Sequence, residues 1–263
     1  MILVFDVGNT ELTVGLFSEA ELRGHWRLTT DVPRTADEFG VLLRALLTGS
    51  GFSPDVVRSV AIGSVVPRVN GPLSDGCMRY FGVGQPLMVD ARAPLPITLA
   101  VDEPMTVGAD RIINTLAASR MYESDAIVVD MGTATTYDCI TAEGVFLGGV
   151  IAPGLATSAE TLTRRTSKLP ATDLVIPERV IGKRTEDCIR AGVLFGGADA
   201  IDGLVRRIKA EWPREREPLV VATGGLAETM ASLCSTFDRV EQYLTLRGLQ
   251  LAHALLRGRD GSL

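Results

Sequence analysis

The fold of this chain is decided by a short stretch near its beginning, Ile2-Leu3-Val4-Phe5-Asp6-Val7-Gly8-Asn9-Thr10. Its first five residues are an apolar run that ends in an acid, which predicts a buried strand. The glycine and asparagine that follow predict a tight turn into a second apolar run at residues 12–17. The stretch therefore indicates a β-hairpin with an acid and a glycine at its turn.

The same pattern returns 124 residues later, at Ala126-Ile127-Val128-Val129-Asp130-Met131-Gly132-Thr133-Ala134. Each copy consists of an apolar strand, Asp-x-Gly, small polar residues and a second strand. A weaker echo relates residues 60–64 to residues 220–224. Chance is the alternative, because Asp-x-Gly is common, but the shared strands favour duplication. We expect an α/β fold with two similar domains, residues 1–117 and 118–263.

The remaining periodicity alternates between strands and helices, as the α/β fold requires. A proline-rich stretch, residues 91–104, predicts a surface loop. Further strands are expected at residues 22–28, 59–66, 135–140, 145–151 and 219–222, and helices at residues 36–47, 108–122, 185–212 and 244–256.

Composition excludes several classes of protein. Hydrophobic residues make up 46% of the 263 residues, so the chain can build a core. The net charge of −6 and the lack of a basic stripe argue against a nucleic-acid partner. No apolar run approaches the roughly 18 residues of a membrane span, so no membrane partner is expected. Four distant cysteines without a C-x-x-C pair suggest neither zinc nor disulfides, and indicate the cytoplasm.

The two Asp-x-Gly turns are suited to a nucleotide polyphosphate. Glycine lets the backbone approach phosphate closely, and Asn9, Thr10 and Thr133 add neutral donors. The carboxylates of Asp6 and Asp130 cannot bind phosphate directly, but they can hold a cation or a hydrated Mg²⁺ that bridges to it. The alternative is that each acid merely caps its turn.

Gly108-Ala109-Asp110-Arg111 opens a predicted helix and places an acid beside a base in its first turn. Asp110 could accept a proton during phosphoryl transfer, and Arg111 could bind a carboxylate or phosphate. A local surface pair is the alternative. Thr185 could bind a ligand or act as the N-cap of the long helix. Thr223-Gly224-Gly225 could admit an adenine or ribose, or form a close-packed turn.

Other phosphate-binding and nucleophile motifs are missing from the sequence. There is no G-x-x-x-x-G-K-[ST], no G-x-G-x-x-G after a strand and no G-x-S-x-G. A P-loop NTPase, a Rossmann dehydrogenase and an α/β-hydrolase are therefore disfavoured.

In combination, five motifs resemble the type III pantothenate kinase family, within the superfamily of acetate and sugar kinases, Hsp70 and actin. They are residues 6–10, 108–111, 129–136, 148–154 and 223–225, and they occur in the family's order. The resemblance implies two duplicated ribonuclease-H-like (actin-like ATPase) domains with mixed five-stranded sheets flanked by helices. It also implies an active site in the interdomain cleft, and ATP-dependent phosphorylation of pantothenate as the first step of coenzyme A synthesis.

Carried over by motif, the resemblance implies a role for each matching residue. Asp110 would be the proton acceptor, and Asp130 would hold K⁺ or NH₄⁺. Asp6 would lie near Mg²⁺, through water, and the enzyme would be a cytoplasmic homodimer. Pantothenate would be bound by Gly108, Ala109, Asp110, Arg111 and Thr185, and ATP by Asp6, Val7, Gly8, Asn9, Thr10, Glu11, Leu12, Thr13 and Thr133.

Three residues depart from the family pattern, namely Glu11, Val101 and Glu103. An acid at Glu103 would raise the KM for an anionic substrate unless it points away. Two other functions stay open at this stage. One is a non-catalytic relative that binds a nucleotide and regulates a partner. The other is a kinase for a different hydroxyl-bearing substrate such as a sugar.

Overall fold

A computed structural model describes residues 1–260, which divide into two compact units. Unit 1 contains Met1–Met121 and the C-terminal helix Leu244–Asp260, and unit 2 is Tyr122–Tyr243. The sequence-based division instead cut the chain after residue 117 and placed the C-terminal helix in the second half. Within residues 1–260, no helix is long and apolar enough to cross a membrane.

The elements alternate as the sequence pattern predicts, with additional short strands and helices. The strands are β1 Ile2–Val7, β2 Glu11–Ser18, β3 Glu21–Thr29, β4 Ser59–Ser64, β5 Leu87–Val89, β6 Thr98–Leu99, β7 Ala126–Met131, β8 Ala134–Ile140, β9 Val145–Pro153, β10 Leu219–Thr223 and β11 Arg239–Val240. The helices are α1 Ala36–Gly49, α2 Pro67–Phe81, α3 Ala109–Tyr122, α4 Leu155–Arg165, α5 Thr185–Ala210, α6 Ala227–Ala231 and α7 Leu244–Asp260.

The two sheets have the same topology. Unit 1 has the strand order β3-β2-β1-β4-β5, and the five strands that unit 2 contributes run β9-β8-β7-β10-β11. In each, the first strand pairs antiparallel with the second and parallel with the fourth. Asp6 lies opposite Gly63, and Asp130 lies opposite Thr223, which is the alignment given by the weaker sequence echo. The predicted fold class is therefore confirmed.

Each face of the unit 1 sheet is covered by two helices. Helices α1 and α2 bury an apolar face with Leu3, Phe5 and Val7 of β1. The opposite face is packed by α3 and α7, because a Cβ atom built on Gly63 would collide with Ile113 of α3, and one on Gly15 would lie 3.1 Å from Leu246 Cδ1 of α7. Side chains alternate along a strand, so Asp6 lies on this second face. We call it the α3/α7 face.

Helix α2 was not predicted from the sequence pattern, which indicated only a strand at residues 59–66 that stops before Pro67. The strand ends earlier, at Ser64, and Pro67 is the first residue of α2, where the missing N–H costs no hydrogen bond. Pro72 inside the helix hides the signal. The buried residues Val69, Leu73 and Cys77 recur every fourth position and are the pattern that could have revealed it.

Unit 2 buries one core beneath its sheet. Helices α4, α5 and α6 pack against strands β7, β8 and β10, and the buried side chains of these elements form one apolar cluster. It includes Ile127, Val129, Tyr137, Leu155, Ile189, Leu194, Ile201, Val205, Val220 and Met230. The predicted long helix is confirmed, although it ends at Ala210 rather than at Trp212. Helix α4 was not predicted.

Candidate active site

The turn between β1 and β2 is held by its own backbone. The Gly8 N–H donates to the Glu11 carbonyl at 3.0 Å, and the Thr30 N–H donates to the Thr10 carbonyl at 2.9 Å. Asp6 is half-buried at the end of β1 and pairs with Thr13 across the hairpin. The predicted hairpin is confirmed: Asp6 lies near the end of β1, and Gly8 begins the turn.

The first turn of α3 presents the Asp110 carboxylate. The helix begins at Ala109, and its first backbone bond runs from the Ile112 N–H to the Gly108 carbonyl at 3.2 Å. Asp110 Oδ1 accepts from the Arg111 N–H at 2.9 Å. A Cβ atom on Gly108 would collide with this same carboxylate oxygen. Glycine at position 108 therefore leaves room for the carboxylate to take this orientation.

Val65 links the Asp-x-Gly turn to α3 within unit 1. Its N–H donates to the Val7 carbonyl at 3.1 Å. Its Cγ1 lies 3.4 Å from the place that a Cβ on Gly108 would occupy. Asp6 and Asp110 therefore lie at the same edge of the sheet, where β1 and β4 end. No pattern in the sequence singles out Val65, which is one apolar residue among many.

The second Asp-x-Gly turn, in unit 2, is held more extensively than the first. The Gly132 N–H donates to the Ala134 carbonyl at 3.0 Å. The Thr133 carbonyl accepts from the Gly154 N–H at 3.1 Å and from Thr157 Oγ1 at 2.7 Å. A Cβ atom on Gly154 would collide with the carbonyls of Gly132 and Thr133. The residues at the start of α4 therefore hold this turn in place. The sequence analysis missed this contact because it did not predict α4.

Asp130 lies against the backbone that follows β10. Gly224 has a φ of +92°, and a Cβ there would lie 2.6 Å from Asp130 Oδ1 and 2.7 Å from the Met131 nitrogen. A side chain at position 224 would therefore intrude on the Asp130 carboxylate. Of the two interpretations of Thr223-Gly224-Gly225, the close-packed turn is confirmed for Gly224.

Thr185 is the first residue of α5 and is exposed, in unit 2. The N-cap of this helix is Arg184, which has extended backbone and makes no side-chain capping bond. The alternative that Thr185 is an N-cap was therefore wrong. The reason is that the chain enters helical geometry one residue earlier than the Thr-Glu-Asp pattern suggested, so that Thr185 is already helical.

At each of the two turns, taken by itself, the donor chemistry fits a cation. Each turn offers one carboxylate, from Asp6 or from Asp130, beside backbone groups. Mg²⁺ is commonly held by one or two carboxylates together with substrate phosphates and water. Among residues 1–257, whose side chains the structure describes, no group of three or more His, Cys, Asp or Glu residues could hold a metal ion.

Solved structures with this fold cover nearly the whole chain. A protein described as a Baf family transcriptional activator from Campylobacter jejuni is 18% identical, with a TM-score of 0.58 over 97% of this chain and 99% of that one. The activator of 2-hydroxyisocaproyl-CoA dehydratase from Clostridium difficile, with bound ADPNP, is 13% identical, with a TM-score of 0.57 over 100% and 97%. The (R)-2-hydroxyglutaryl-CoA dehydratase component A from Acidaminococcus fermentans is 12% identical, with a TM-score of 0.56 over 99% of both chains.

These likenesses concern the fold, whereas the sequence itself carries a family signature. The sequence model of the type III pantothenate kinase family matches residues 2–207. This region includes both Asp-x-Gly turns and the first turn of α3. The matched region also holds β1, β4 and β7, the strands that position these groups. The chain therefore belongs to the type III pantothenate kinase family, whose members are ATP-dependent phosphotransferases.

Proposed function

We propose that this kinase transfers the terminal phosphoryl group of ATP to the primary hydroxyl of pantothenate, the first step of coenzyme A synthesis. The observation that carries the proposal is the placement of Asp110 beside the Asp6 turn in unit 1. Val65 lies next to both: its N–H donates to the Val7 carbonyl at 3.1 Å, and its Cγ1 lies 3.4 Å from the position that a Cβ on Gly108 would occupy. A proton acceptor is thus held next to a phosphate-binding turn.

Each group has a role in this reaction. Residues 6–13 and Thr133 bind the phosphates, and Gly108, Ala109, Asp110 and Arg111 bind pantothenate together with Thr185. Arg111 offers a planar fork that suits the pantothenate carboxylate. The hydroxyl proton passes to the Asp110 carboxylate as the oxygen bonds to phosphorus. A weak base suffices because the transition state of phosphoryl transfer is loose and depends mainly on positioning.

Two cations complete the proposal. Asp6 holds Mg²⁺ through water, and Asp130 holds K⁺ or NH₄⁺. Bound there, the cations offset the negative charge of the triphosphate. Gly224 supports the second assignment, because a side chain at that position would come within 2.6 Å of Asp130 Oδ1. The active form is proposed to be a homodimer in the cytoplasm.

The direct test is mass detection of phosphopantothenate after incubation with MgATP and K⁺. The variant Asp110→Asn is expected to bind ADPNP nearly as well as the unaltered enzyme, with turnover lower by about a hundredfold or more. Turnover of Asp110→Asn at the unaltered rate would contradict the assignment of the proton acceptor. Full activity with Na⁺ or Tris as the sole monovalent cation would contradict the role of Asp130.

The same assay separates the other two functions. A regulatory nucleotide-binding protein would release no ADP with or without pantothenate. A sugar kinase would release ADP with a member of a sugar panel and not with pantothenate. Either result would replace the proposed substrate.

A further inference from the structure

We propose that Arg27 contacts the phosphate chain of the nucleotide, and that Glu11 competes with the phosphates for its guanidinium. The five motifs that carry the family resemblance do not include Arg27, which lies on β3 outside the turn. The inference rests on the proposed function only in so far as residues 6–13 bind nucleotide phosphates. It does not depend on the identity of the acceptor.

Strand register places Arg27 in line with the phosphate turn. Asp6 pairs with Thr13 on β2, and Thr13 pairs with Arg27 on β3. Residues paired across antiparallel strands project to the same face of the sheet, so all three lie on the α3/α7 face. Two strand spacings, or about 10 Å, separate the Asp6 and Arg27 backbones.

The α3/α7 face is open where Arg27 lies. The apolar residues of β3, such as Trp26 and Leu28, turn to the other face and join the core with α1 and α2. The Arg27 side chain is 41% exposed. A long cationic side chain on an open face, beside a turn that binds phosphate, is placed to meet a bound polyanion.

The one partner of Arg27 in the described chain is Glu11, and the contact is loose. Arg27 Nε lies 3.7 Å from Glu11 Oε2, and the Glu11 side chain is 50% exposed. The guanidinium makes no hydrogen bond to another residue within residues 1–257, whose side chains the structure describes. An exposed ion pair of this kind contributes little stability, whereas phosphate can fill the guanidinium fork with charge-assisted hydrogen bonds. Phosphate should therefore displace Glu11.

This exchange also accounts for the acid at position 11, which departs from the family pattern. Glu11 contributes its carbonyl to the turn, where it accepts from the Gly8 N–H at 3.0 Å. Any residue can supply a carbonyl, so the turn itself does not require the carboxylate. Before nucleotide binds, that carboxylate keeps the Arg27 guanidinium near the turn, and it must release the guanidinium to the incoming phosphates.

The test is isothermal titration calorimetry of Mg²⁺-ADPNP and of adenosine with the full-length protein. Arg27→Gln is expected to weaken ADPNP binding about tenfold or more and to leave adenosine binding unchanged, because adenosine carries no phosphate. Arg27→Lys should fall between, because lysine keeps the charge and loses the fork. The matched control is Arg23→Gln, since Arg23 is on the same strand, is 45% exposed and pairs with Glu21 at 3.2 Å.

Glu11→Gln tests the competition. It is expected to tighten ADPNP binding a few-fold, opposite in direction to Arg27→Gln. Weaker ADPNP binding by Glu11→Gln would overturn the competition, and ADPNP binding by Arg27→Gln equal to that of Arg23→Gln would overturn the phosphate contact. A parallel loss of adenosine affinity in Arg27→Gln would also overturn it, since a structural role would then explain the effect. These results are separate from the proposal that pantothenate is the phosphoryl acceptor. That proposal is contradicted only if the unaltered enzyme binds ADPNP and forms no phosphopantothenate from MgATP.

Discussion

Replacing Gly224 by alanine is expected to destabilise unit 2 and to displace the Asp130 carboxylate. The residue has a φ of +92°, a conformation that side chains rarely adopt. The new Cβ would lie 2.6 Å from Asp130 Oδ1, 2.7 Å from the Met131 nitrogen and 2.8 Å from the Met131 oxygen. Two of these three atoms belong to the backbone of Met131. The residue before it, Asp130, pairs with Thr223 in the β7–β10 ladder, which holds this backbone in place. The chain has little freedom to move away.

The expected loss has two parts. A left-handed conformation costs a residue with a Cβ about 1–2 kcal/mol. Overpacking a methyl group against fixed atoms typically costs a further 1–3 kcal/mol or so. The total of about 2–5 kcal/mol should lower Tm by roughly 5 to 15 °C for a chain of this size.

Calorimetric unfolding of Gly224→Ala beside Gly203→Ala checks the reasoning. Gly203 lies within α5, and a Cβ there would meet nothing within 4 Å. The control substitution should therefore raise stability by about 0.5–1 kcal/mol, because alanine is the better helix former. The variant Gly224→Ala should also lose the dependence of ADPNP binding on K⁺.

The two substitutions are chemically identical, so the position alone separates their outcomes. Equal Tm values for Gly224→Ala and Gly203→Ala would refute the steric argument. A lowered Tm with an unchanged K⁺ dependence would refute the link from Gly224 to Asp130.

Two further predictions concern other carboxylates. Gly108→Ala should lower turnover about a hundredfold by displacing Asp110, because a misplacement of about 1 Å in a catalytic group can cost that much. Turnover is measured by ADP release, and calorimetry should show an unchanged affinity for ADPNP. Normal turnover would show that Asp110 tolerates the methyl group. Burial raises the pKa of Asp202, but hydrogen bonds from Ser235 and Thr236 outweigh it and hold the pKa below its ordinary value. Asp202 therefore stabilises the fold above about pH 4, and this contribution is lost as the pH falls through the lowered pKa. The Tm deficit of Asp202→Asn should be large at pH 7 and shrink toward pH 3, and a constant deficit would contradict the role of the charge.

Much of the site was predictable because its signals are local. The two hairpins are encoded by apolar runs that end in Asp-x-Gly, and the backbone closes each turn over two or three residues. The start of α3 was also predicted from the hydrophobic period, at Gly108, one residue before the helix begins. The sequence therefore determined which acids lie at the ends of β1 and β7 and that Asp110 begins a helix.

Tertiary structure decided which of these groups meet. A hydrophobic period of two or 3.6 residues predicts a strand or a helix, but it does not indicate which other element that strand or helix packs against. The C-terminal helix α7 follows the second repeat in sequence, yet it packs on unit 1. There Gly248 allows it to approach α3 so closely that a Cβ would lie 2.6 Å from the Ile113 carbonyl oxygen. Likewise, Arg27 is an ordinary exposed arginine in the sequence, and only the β2–β3 register aligns it with Thr13 and Asp6. Sequence patterns encode local geometry, whereas long-range packing and strand register determine which distant residues can act together.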